Sequence, residues 1–327
     1  MIEIARPYAL FLADADGQDS VVADFLLRWR RQDCVGRIGG ARSDLPELSF
    51  SEAVERGART LVIVAESNGA PKKWHAPLSE ALEAGLDIAS RLPIAEIAPV
   101  AKTAKRLGRI VRDVRCDPGS FPPATGKRRA GRRVLTIGTD RTANTLTAAL
   151  SIERDLKSRG AATDFRATTP LGILVAGGGV PLGAVASDAL TGAVETLCPA
   201  ASPDHWDVVE GRASLGHPAD APVALALLHG AQPDAIVLCH DPQRRHLEDL
   251  PHVPMPYLSE LVALHERAAR LTNPAAAVLG VALDTGTLPD AAARDAVRRV
   301  TETYGLPCCD PHREGTAPIV DRLLALA

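Results

Sequence analysis

The amino-acid sequence predicts an α/β protein in which mostly parallel sheets are covered by helices. Short apolar runs alternate with helical patterns along the first third of the chain, as in parallel strands joined by helices. Residues 132–150 (RRVLTIGTDRTANTLTAAL) place an apolar run, a glycine and a helix-forming segment in the order of a phosphate-binding P-loop. Aromatic residues make up only 3% of the chain, so the core must consist of Ala, Val, Leu and Ile. With 327 residues the chain predicts two domains, because single cores stop growing at about 250–300 residues.

The first domain is predicted to span residues 1–115. Its candidate strands are Tyr8–Ala13, Cys34–Ile38, Thr60–Ala65 and Arg109–Val114, and its candidate helices are Val21–Arg30, Ser51–Arg56, Ala76–Ala84 and Ile97–Leu107. Sheets of this type bind ligands at the carboxyl ends of their strands. Asp14 is the first carboxylate after the first strand and is well placed to meet a ligand, although a turn cap is the simpler role.

Residues 116–133 are predicted to form a linker, and residues 134–327 a second domain. The linker holds three prolines, three glycines and five basic residues, which favours an exposed connector over an anion site. The candidate strands of the second domain are Val134–Ile137, Thr163–Ala167, Trp206–Val209, Ala235–Cys239, Ala277–Leu283 and Pro307–Cys309. Its candidate helices are Thr145–Arg159, Leu182–Leu197, Pro222–His229, Leu258–Leu271, Ala291–Tyr304 and Pro318–Ala327.

Composition excludes several classes of function. A net charge of -3 argues against a nucleic-acid-binding surface. No apolar run approaches the roughly 20 residues of a membrane span, and the N-terminus lacks the pattern of a signal peptide, so we expect a cytoplasmic location. The six cysteines form no CxxC pair and are expected to be reduced and mostly buried, and no metal site is predicted.

The P-loop-like stretch lacks the residues that ATP chemistry requires. The usual pattern is G-x-x-x-x-G-K-[ST], in which the lysine reaches the outer phosphates and the hydroxyl holds magnesium. Here Asn144 and Thr145 replace the glycine and the lysine, so ATP and magnesium are not expected. Main-chain amides at a helix N-terminus still attract anions. The sequence therefore predicts a cofactor pyrophosphate site at Gly138, Thr139, Asp140, Asn144 and Thr145. The alternative is a plain turn capped by Asp140.

Three further blocks carry polar residues at predicted strand ends. The block after Trp206–Val209 contains Glu210, Ser214 and His217, and a histidine with an ordinary pKa is a candidate base, although a lone histidine is more often structural. His240 ends another strand. Arg166 and Thr168 end a third, and an arginine is well suited to binding a carboxylate, although a surface role is equally compatible.

In order and spacing, these blocks resemble the D-glutamate N-acetyltransferase family, long described only as a domain of unknown function. The matching segments include PYALFLAD (7–14), GARTLVIV (57–64), ALEAGLDIAS (81–90), KRRAGRRVLTIGTD (127–140), DFRAT (164–168), DHWDVVEG (204–211), LHGAQPDAIVLCH (228–240), LTNP (271–274) and residues 306–311. The resemblance implies a Rossmann-like N-terminal domain and a P-loop NTPase-like C-terminal domain similar to dethiobiotin synthetase. It also implies acetyl transfer from acetyl-CoA to the amine of D-glutamate.

The departures from the family pattern are concentrated in the loops. The family's GTDCxVGKM is GTDRTANTL here, and its EGQGSL is EGRASL. The Gly-Gln-Thr that tends to follow DFRAT in the family is replaced by Thr169-Pro170-Leu171, and a glycine loop near Asn68-Gly69 is also altered.

Three hypotheses follow for the function. The first is an acyl-CoA-dependent N-acyltransferase for an acidic amino acid or a related amine. In it Arg166 holds the substrate carboxylate, Thr168, Ser214 and His240 line the substrate site, and His217 or Glu210 removes the amine proton. The second is a non-catalytic relative that binds a ligand or regulates an active copy, and the third is a nucleotide-dependent ligase or kinase. A small-molecule substrate and a homo-oligomer are expected, without nucleic-acid or membrane partners.

Overall fold

The computed structural model describes residues 1–12, 20–40, 44–65, 70–116, 118–141 and 144–326. Asp14 and the Asn68-Gly69 loop lie outside these residues. Up to residue 113 the elements are β1 (Ile2–Glu3), β2 (Tyr8–Phe11), α1 (Val21–Arg30), β3 (Cys34–Ile38), α2 (Phe50–Glu55), β4 (Thr60–Ile63), α3 (His75–Ala84), β5 (Asp87–Ser90), α4 (Ala98–Leu107) and β6 (Val111–Asp113).

From residue 132 onward the elements belong mainly to a second sheet. They are β7 (Arg132–Gly138), α5 (Thr145–Ser158), β8 (Thr163–Arg166), α6 (Pro170–Ala176), β9 (Gly178–Gly179), α7 (Leu190–Leu197), β10 (Trp206–Val209), α8 (Ala221–Ala231), β11 (Ala235–His240), β12 (His246–Leu247), β13 (Leu250–Pro254), α9 (Leu258–Arg270), β14 (Ala277–Leu283), α10 (Asp290–Tyr304), β15 (Cys308–Cys309) and α11 (Ala317–Leu324). Short 3₁₀ turns cover Arg31–Asp33, Lys72–Trp74, Ile94–Glu96 and Leu182–Ala184.

The chain divides into two compact units, and the first contains residues 1–119 together with residues 169–184. Its five parallel strands lie in the order β3-β2-β4-β5-β6, with a core of aliphatic side chains from strands and helices. This arrangement confirms the predicted alternation of strands and helices. The predicted strands do not include β5, which is only four residues long and begins two residues after Gly85 ends α3 in the left-handed conformation.

Residues 169–184 differ from the sequence-based division, which placed them in the second domain. The β1 strand pairs with β9 in antiparallel fashion, and the N–H of Ile4 donates to the carbonyl of Gly177 at 2.9 Å. The Arg6 guanidinium donates to the carbonyls of Val175 and Ala176 near the end of α6. These contacts attach α6 and β9 to the N-terminal residues, although the two segments are far apart in sequence.

The second unit contains residues 120–168 and 185–327 and is built on a six-stranded sheet. Its order is β15-β14-β11-β7-β10-β8, and every pairing is parallel. Helix α5 packs on the sheet through buried side chains spaced three and four residues apart, namely Ala148, Ala149, Ile152 and Leu156. All six strands therefore end at one edge, and the order reverses direction at β7, the position where sheets of this type bind ligands.

The basic residues of the predicted linker bind the opposite edge of the second unit. Arg129 donates to the carbonyls of Gly230 and Ala231 at the C-terminal end of α8, and Arg128 pairs with Asp234 at 3.2 Å. Asp234 directly precedes β11, so both arginines lie where strands begin. They cannot supply the cation that the P-loop-like stretch lacks, because that stretch begins where β7 ends.

Within the described residues, no helix combines the length and the apolar character that crossing a bilayer requires.

Candidate functional site at the carboxyl edge of the second sheet

The end of β7 lies between the loops that follow β10 and β11. The N–H of Gly138 donates to the carbonyl of Ala213 at 3.0 Å, and the N–H of Thr139 donates to the carbonyl of Cys239 at 2.8 Å. The hydroxyl of Thr139 lies 2.9 Å from Nδ1 of His240. The structure thus brings together Thr139 and His240, two of the residues that the sequence singled out.

His240 has the features of a proton acceptor. Its ring is partly buried at the end of β11, and this burial lowers its pKa, while the nearby Asp241 acts in the opposite direction. Burial therefore favours the neutral imidazole. When Nδ1–H donates to the Thr139 hydroxyl, Nε2 carries a lone pair, and no described residue forms a hydrogen bond with it.

Asp140 holds a hairpin rather than an open anion site. The hairpin consists of β12 and β13, and its turn contains Glu248. Asp140 is 3% exposed, and its carboxylate accepts the N–H groups of Arg141 and Glu248, each at 2.8 Å. Arg244 approaches the same carboxylate at 3.5 Å. A carboxylate with these partners has little capacity left for a ligand, so the geometry does not favour the predicted cofactor-binding role.

His217 holds the same hairpin from another side. Its Nδ1 accepts the N–H of Ala219 at 3.2 Å, which places the proton on Nε2, and Nε2–H donates to the carbonyl of Glu248 at 2.9 Å. The side chain is 2% exposed. Because both ring nitrogens are in use, the predicted role of His217 as a base does not fit this geometry, and His240 takes its place as the candidate base.

Glu210, Thr168 and Ser214 form the buried framework of the site. The Glu210 carboxylate accepts the N–H of Thr168 at 2.8 Å, and the Thr168 hydroxyl donates to the Glu210 carbonyl at 2.8 Å. The Ser214 hydroxyl donates to the carbonyl of Thr139 at 2.8 Å. All three side chains are fully buried, so the contacts join the ends of β8, β10 and β7 to one another and present no free group to a substrate.

Arg166 is paired inside the protein, which disagrees with its predicted role as the carboxylate-binding residue. Its Nε donates to Asp207 at 2.7 Å, and a terminal nitrogen donates to Asp164 at 3.0 Å. His205 also lies 3.3 Å from Asp207. Asp164, His205 and Asp207 could offer three metal-binding atoms within 4.8 Å of one another, but the Arg166 guanidinium already supplies the positive charge there.

The first turn of α5 is capped by the chain itself. The Asn144 side chain accepts the N–H of Thr147 at 3.4 Å, and the Thr136 hydroxyl donates to the carbonyl of Thr145 at 3.2 Å. Thr145 is buried. Residues 142 and 143 lie outside the described residues, so the predicted grip of this loop on a pyrophosphate stays a prediction.

A pocket next to the P-loop-like stretch is lined by residues outside the predicted site. It has a volume of about 320 Å³ and is lined by Arg141, Arg212, Asp220, Glu248 and Asp249. Arg141 directly follows Asp140, and Arg212 lies two residues after Glu210. A signal was available in the sequence, because both arginines occupy loop positions at which the chain departs from the family pattern.

Two parallel α/β units, with a glycine turn and a helix following the central strand of the second, define a Rossmann-like domain joined to a P-loop domain. Family models of domains of unknown function match both parts: the DUF1611 Rossmann-like domain over residues 30–117 and the DUF1611 P-loop domain over residues 122–320. The chain belongs to this family, which confirms the resemblance noted in the sequence.

Similar proteins match along almost the whole chain. A protein of Pseudoalteromonas sp. named D-glutamate N-acetyltransferase is 37% identical over 331 residues, covering 98% of this chain and 100% of the relative. A protein of the same name from Tritonibacter scottomollicae is 38% identical over 332 residues, covering 99% and 100%. The crystal structure of a DUF1611 protein from Anabaena variabilis is 30% identical, with a TM-score of 0.78 and coverage of 98% and 100%.

Proposed function

We propose that this protein transfers an acetyl group from acetyl-CoA to the amine of an acidic amino acid, with D-glutamate as the first candidate. The observation that carries the proposal is the full-length similarity, at 37% and 38% identity, to two proteins named D-glutamate N-acetyltransferase. The acetyl donor follows from the chemistry in that name, since acetyl-CoA is the common thioester donor for amines.

The Thr139–His240 pair supports this chemistry. An amino acid carries an ammonium group at neutral pH, and only the free amine attacks a thioester. In the proposed reaction His240 Nε2 takes that proton and passes it to solvent. The free amine nitrogen then bonds to the carbonyl carbon, Nε2 takes a second proton from that nitrogen, and the carbon–sulfur bond breaks. The departing thiolate then receives a proton from the imidazolium. Thr139 orients the imidazole by accepting a hydrogen bond from Nδ1–H.

The direct test is release of free CoA and formation of the N-acetyl product. The purified chain is incubated with acetyl-CoA and with the D and L forms of glutamate, aspartate, glutamine and alanine, and thiol release is followed together with product mass. We expect acetylation of acidic amino acids. Release at the enzyme-free rate with every amine would exclude the transferase and favour a non-catalytic relative.

The catalytic assignment is tested separately with His240→Gln. A general base contributes about 10²–10⁴-fold to rate, so kcat should fall by that range while the KM for acetyl-CoA changes little. His75→Gln, in helix α3 of the first unit, is the matched control and should keep wild-type activity. Calorimetry with ATP and magnesium tests the ligase alternative, and tight magnesium-dependent ATP binding would support it.

A further inference from the structure

The pocket lined by Arg141 and Arg212 contains one arginine that no described residue neutralises. Arg141 pairs with Asp220 at 3.2 Å and with Asp249 at 3.6 Å. Arg212 is partly buried and has no hydrogen-bond or ion-pair partner among the described residues. A guanidinium is a planar group with five N–H donors, and in a pocket it is suited to a planar anion such as a carboxylate.

Hydrogen bonds on both sides of the arginine position it. It follows Glu210 and Gly211, and Gly211 N–H donates to the Thr136 hydroxyl at 3.3 Å on the central strand β7. Two residues further on, the Ser214 hydroxyl binds the carbonyl of Thr139. The backbone on either side of Arg212 is therefore fixed to the end of β7, and Thr139 in turn contacts the candidate base His240.

Charge and size point to the class of ligand. The pocket holds three carboxylates, those of Asp220, Glu248 and Asp249, against the two guanidinium groups of Arg141 and Arg212. Arg244, outside the lining, pairs with Glu248, and Arg141 pairs with Asp220 and Asp249, so the charges around the pocket balance. An amino acid matches this mixed lining, because it brings an ammonium group for the carboxylates and a carboxylate for Arg212. A volume of about 320 Å³ suits a ligand of amino-acid size and is too small for adenosine, diphosphate and pantetheine together.

We propose that this pocket is the amino-acid subsite and that Arg212 binds a carboxylate of the acceptor substrate. This inference rests on the proposed acetyltransferase function and names the residue that selects acidic acceptors. Arg212 takes the role that the sequence suggested for Arg166, whose guanidinium is occupied by Asp164 and Asp207. It also supplies a positive charge at the edge where Thr145 stands in the P-loop lysine position.

The test compares Arg212→Gln, Arg212→Lys and the matched control Arg322→Gln. Arg322 lies exposed on α11 and loses the same charge without touching the pocket. Arg212 has no internal partner among the described residues, so its substitutions should leave folding intact. The KM for D-glutamate, D-glutamine and the α-amide of D-glutamate is measured with each protein, together with the KM for acetyl-CoA.

In Arg212→Gln we expect the KM for D-glutamate to rise about 10- to 100-fold, the range for losing a hydrogen-bonded charge partner. The lysine variant should retain part of the affinity, and the KM for acetyl-CoA should stay unchanged. Each of the two amides lacks one carboxylate of D-glutamate. The amide whose KM is the same for Arg212→Gln and wild type lacks the carboxylate that Arg212 contacts. An unchanged KM for D-glutamate, or an equal rise for all three acceptors, overturns the assignment.

A binding measurement separates this inference from the proposed function. Calorimetry with D-glutamate alone, on wild type and Arg212→Gln, requires no turnover. If wild type binds D-glutamate, the variant loses that binding and neither protein forms an acetylated product, then the subsite stands and the acetyltransferase proposal fails. If acetylation proceeds and the variant binds as tightly as wild type, then the subsite fails and the acetyltransferase proposal stands.

Discussion

Gly211→Ala is expected to destabilise the second unit strongly, and the size of the effect follows from one close approach. A Cβ atom at residue 211 would lie 1.7 Å from the carbonyl oxygen of Thr136 and 2.8 Å from its carbonyl carbon. Ordinary contacts of this kind are 3.4–4 Å, so the separation from the oxygen would have to double. Thr136 belongs to β7, which is hydrogen-bonded to β10 on one side and to β11 on the other, and cannot move away easily.

Overpacking costs about 1–3 kcal/mol when side chains can yield. Here the neighbour is main chain, so we expect a loss of about 3 kcal/mol or more from a typical total of ~5–15 kcal/mol. With a urea m value of about 1–3 kcal/mol/M, the unfolding midpoint should fall by about 1 M or more.

The assay is urea unfolding followed by circular dichroism, with Gly216→Ala as the control. A Cβ at residue 216 meets its nearest atoms, in Ser214 and Leu261, at 3.5 and 3.6 Å, so the free energy of unfolding should change by about 0.5 kcal/mol or less. If Gly211→Ala unfolds at the wild-type urea concentration, or if the two variants lose equal stability, the close-approach argument is wrong.

Three further predictions concern the titrating and paired groups. Because burial lowers the pKa of His240, wild-type kcat/KM should decline on acidification with a midpoint below the ordinary value of about 6.5, and a midpoint above it would contradict the assignment. Arg166→Gln leaves the buried Asp207 without its guanidinium and should lower the free energy of unfolding in urea by about 2–3 kcal/mol. The loss is smaller than for a fully buried pair because the Arg166 side chain is 22% exposed. A rise in substrate KM without loss of stability would instead restore the predicted binding role of Arg166. Burial also lowers the pKa of His265, so the unfolded chain binds more protons than the folded chain below pH ~6.5. Stability therefore falls as the pH drops from there toward the lowered pKa. His265→Leu should reduce the difference between the urea midpoints at pH 7.5 and 5.5, and an unchanged difference would refute this account.

The sequence located the carboxyl edge of the second sheet because that prediction needs only local patterns. Apolar runs that end in Gly138 and His240, or directly before Glu210, mark strand ends, and parallel strands bring those ends to one edge. The order of apolar and polar residues along the chain is therefore enough to predict where these strands end.

The partners of each polar side chain could not be predicted in the same way. Arg166 contacts Asp207, which lies 41 residues later on a neighbouring strand, and no local pattern signals that pairing. The β12–β13 hairpin has short strands and mostly exposed residues, so it carries no strand-like apolar run. Asp140 and His217 bind backbone groups of this hairpin. Because the sequence does not reveal the hairpin, it predicts a cofactor-binding role for Asp140 and a catalytic role for His217 instead.

The pairing of Ile2 with Gly179 has a consequence for biosynthesis. Residues 120–168, which belong to the other unit, must be translated before the N-terminal unit receives its last strand and helix. At ~5–20 residues per second, the N-terminal end of the nascent chain spends several seconds without that partner, and it is a candidate client for chaperones during this interval. A fragment cut after residue 119 would lose α6 and β9 for good, so the N-terminal unit is not a cassette that can be exchanged between relatives as one continuous piece of gene.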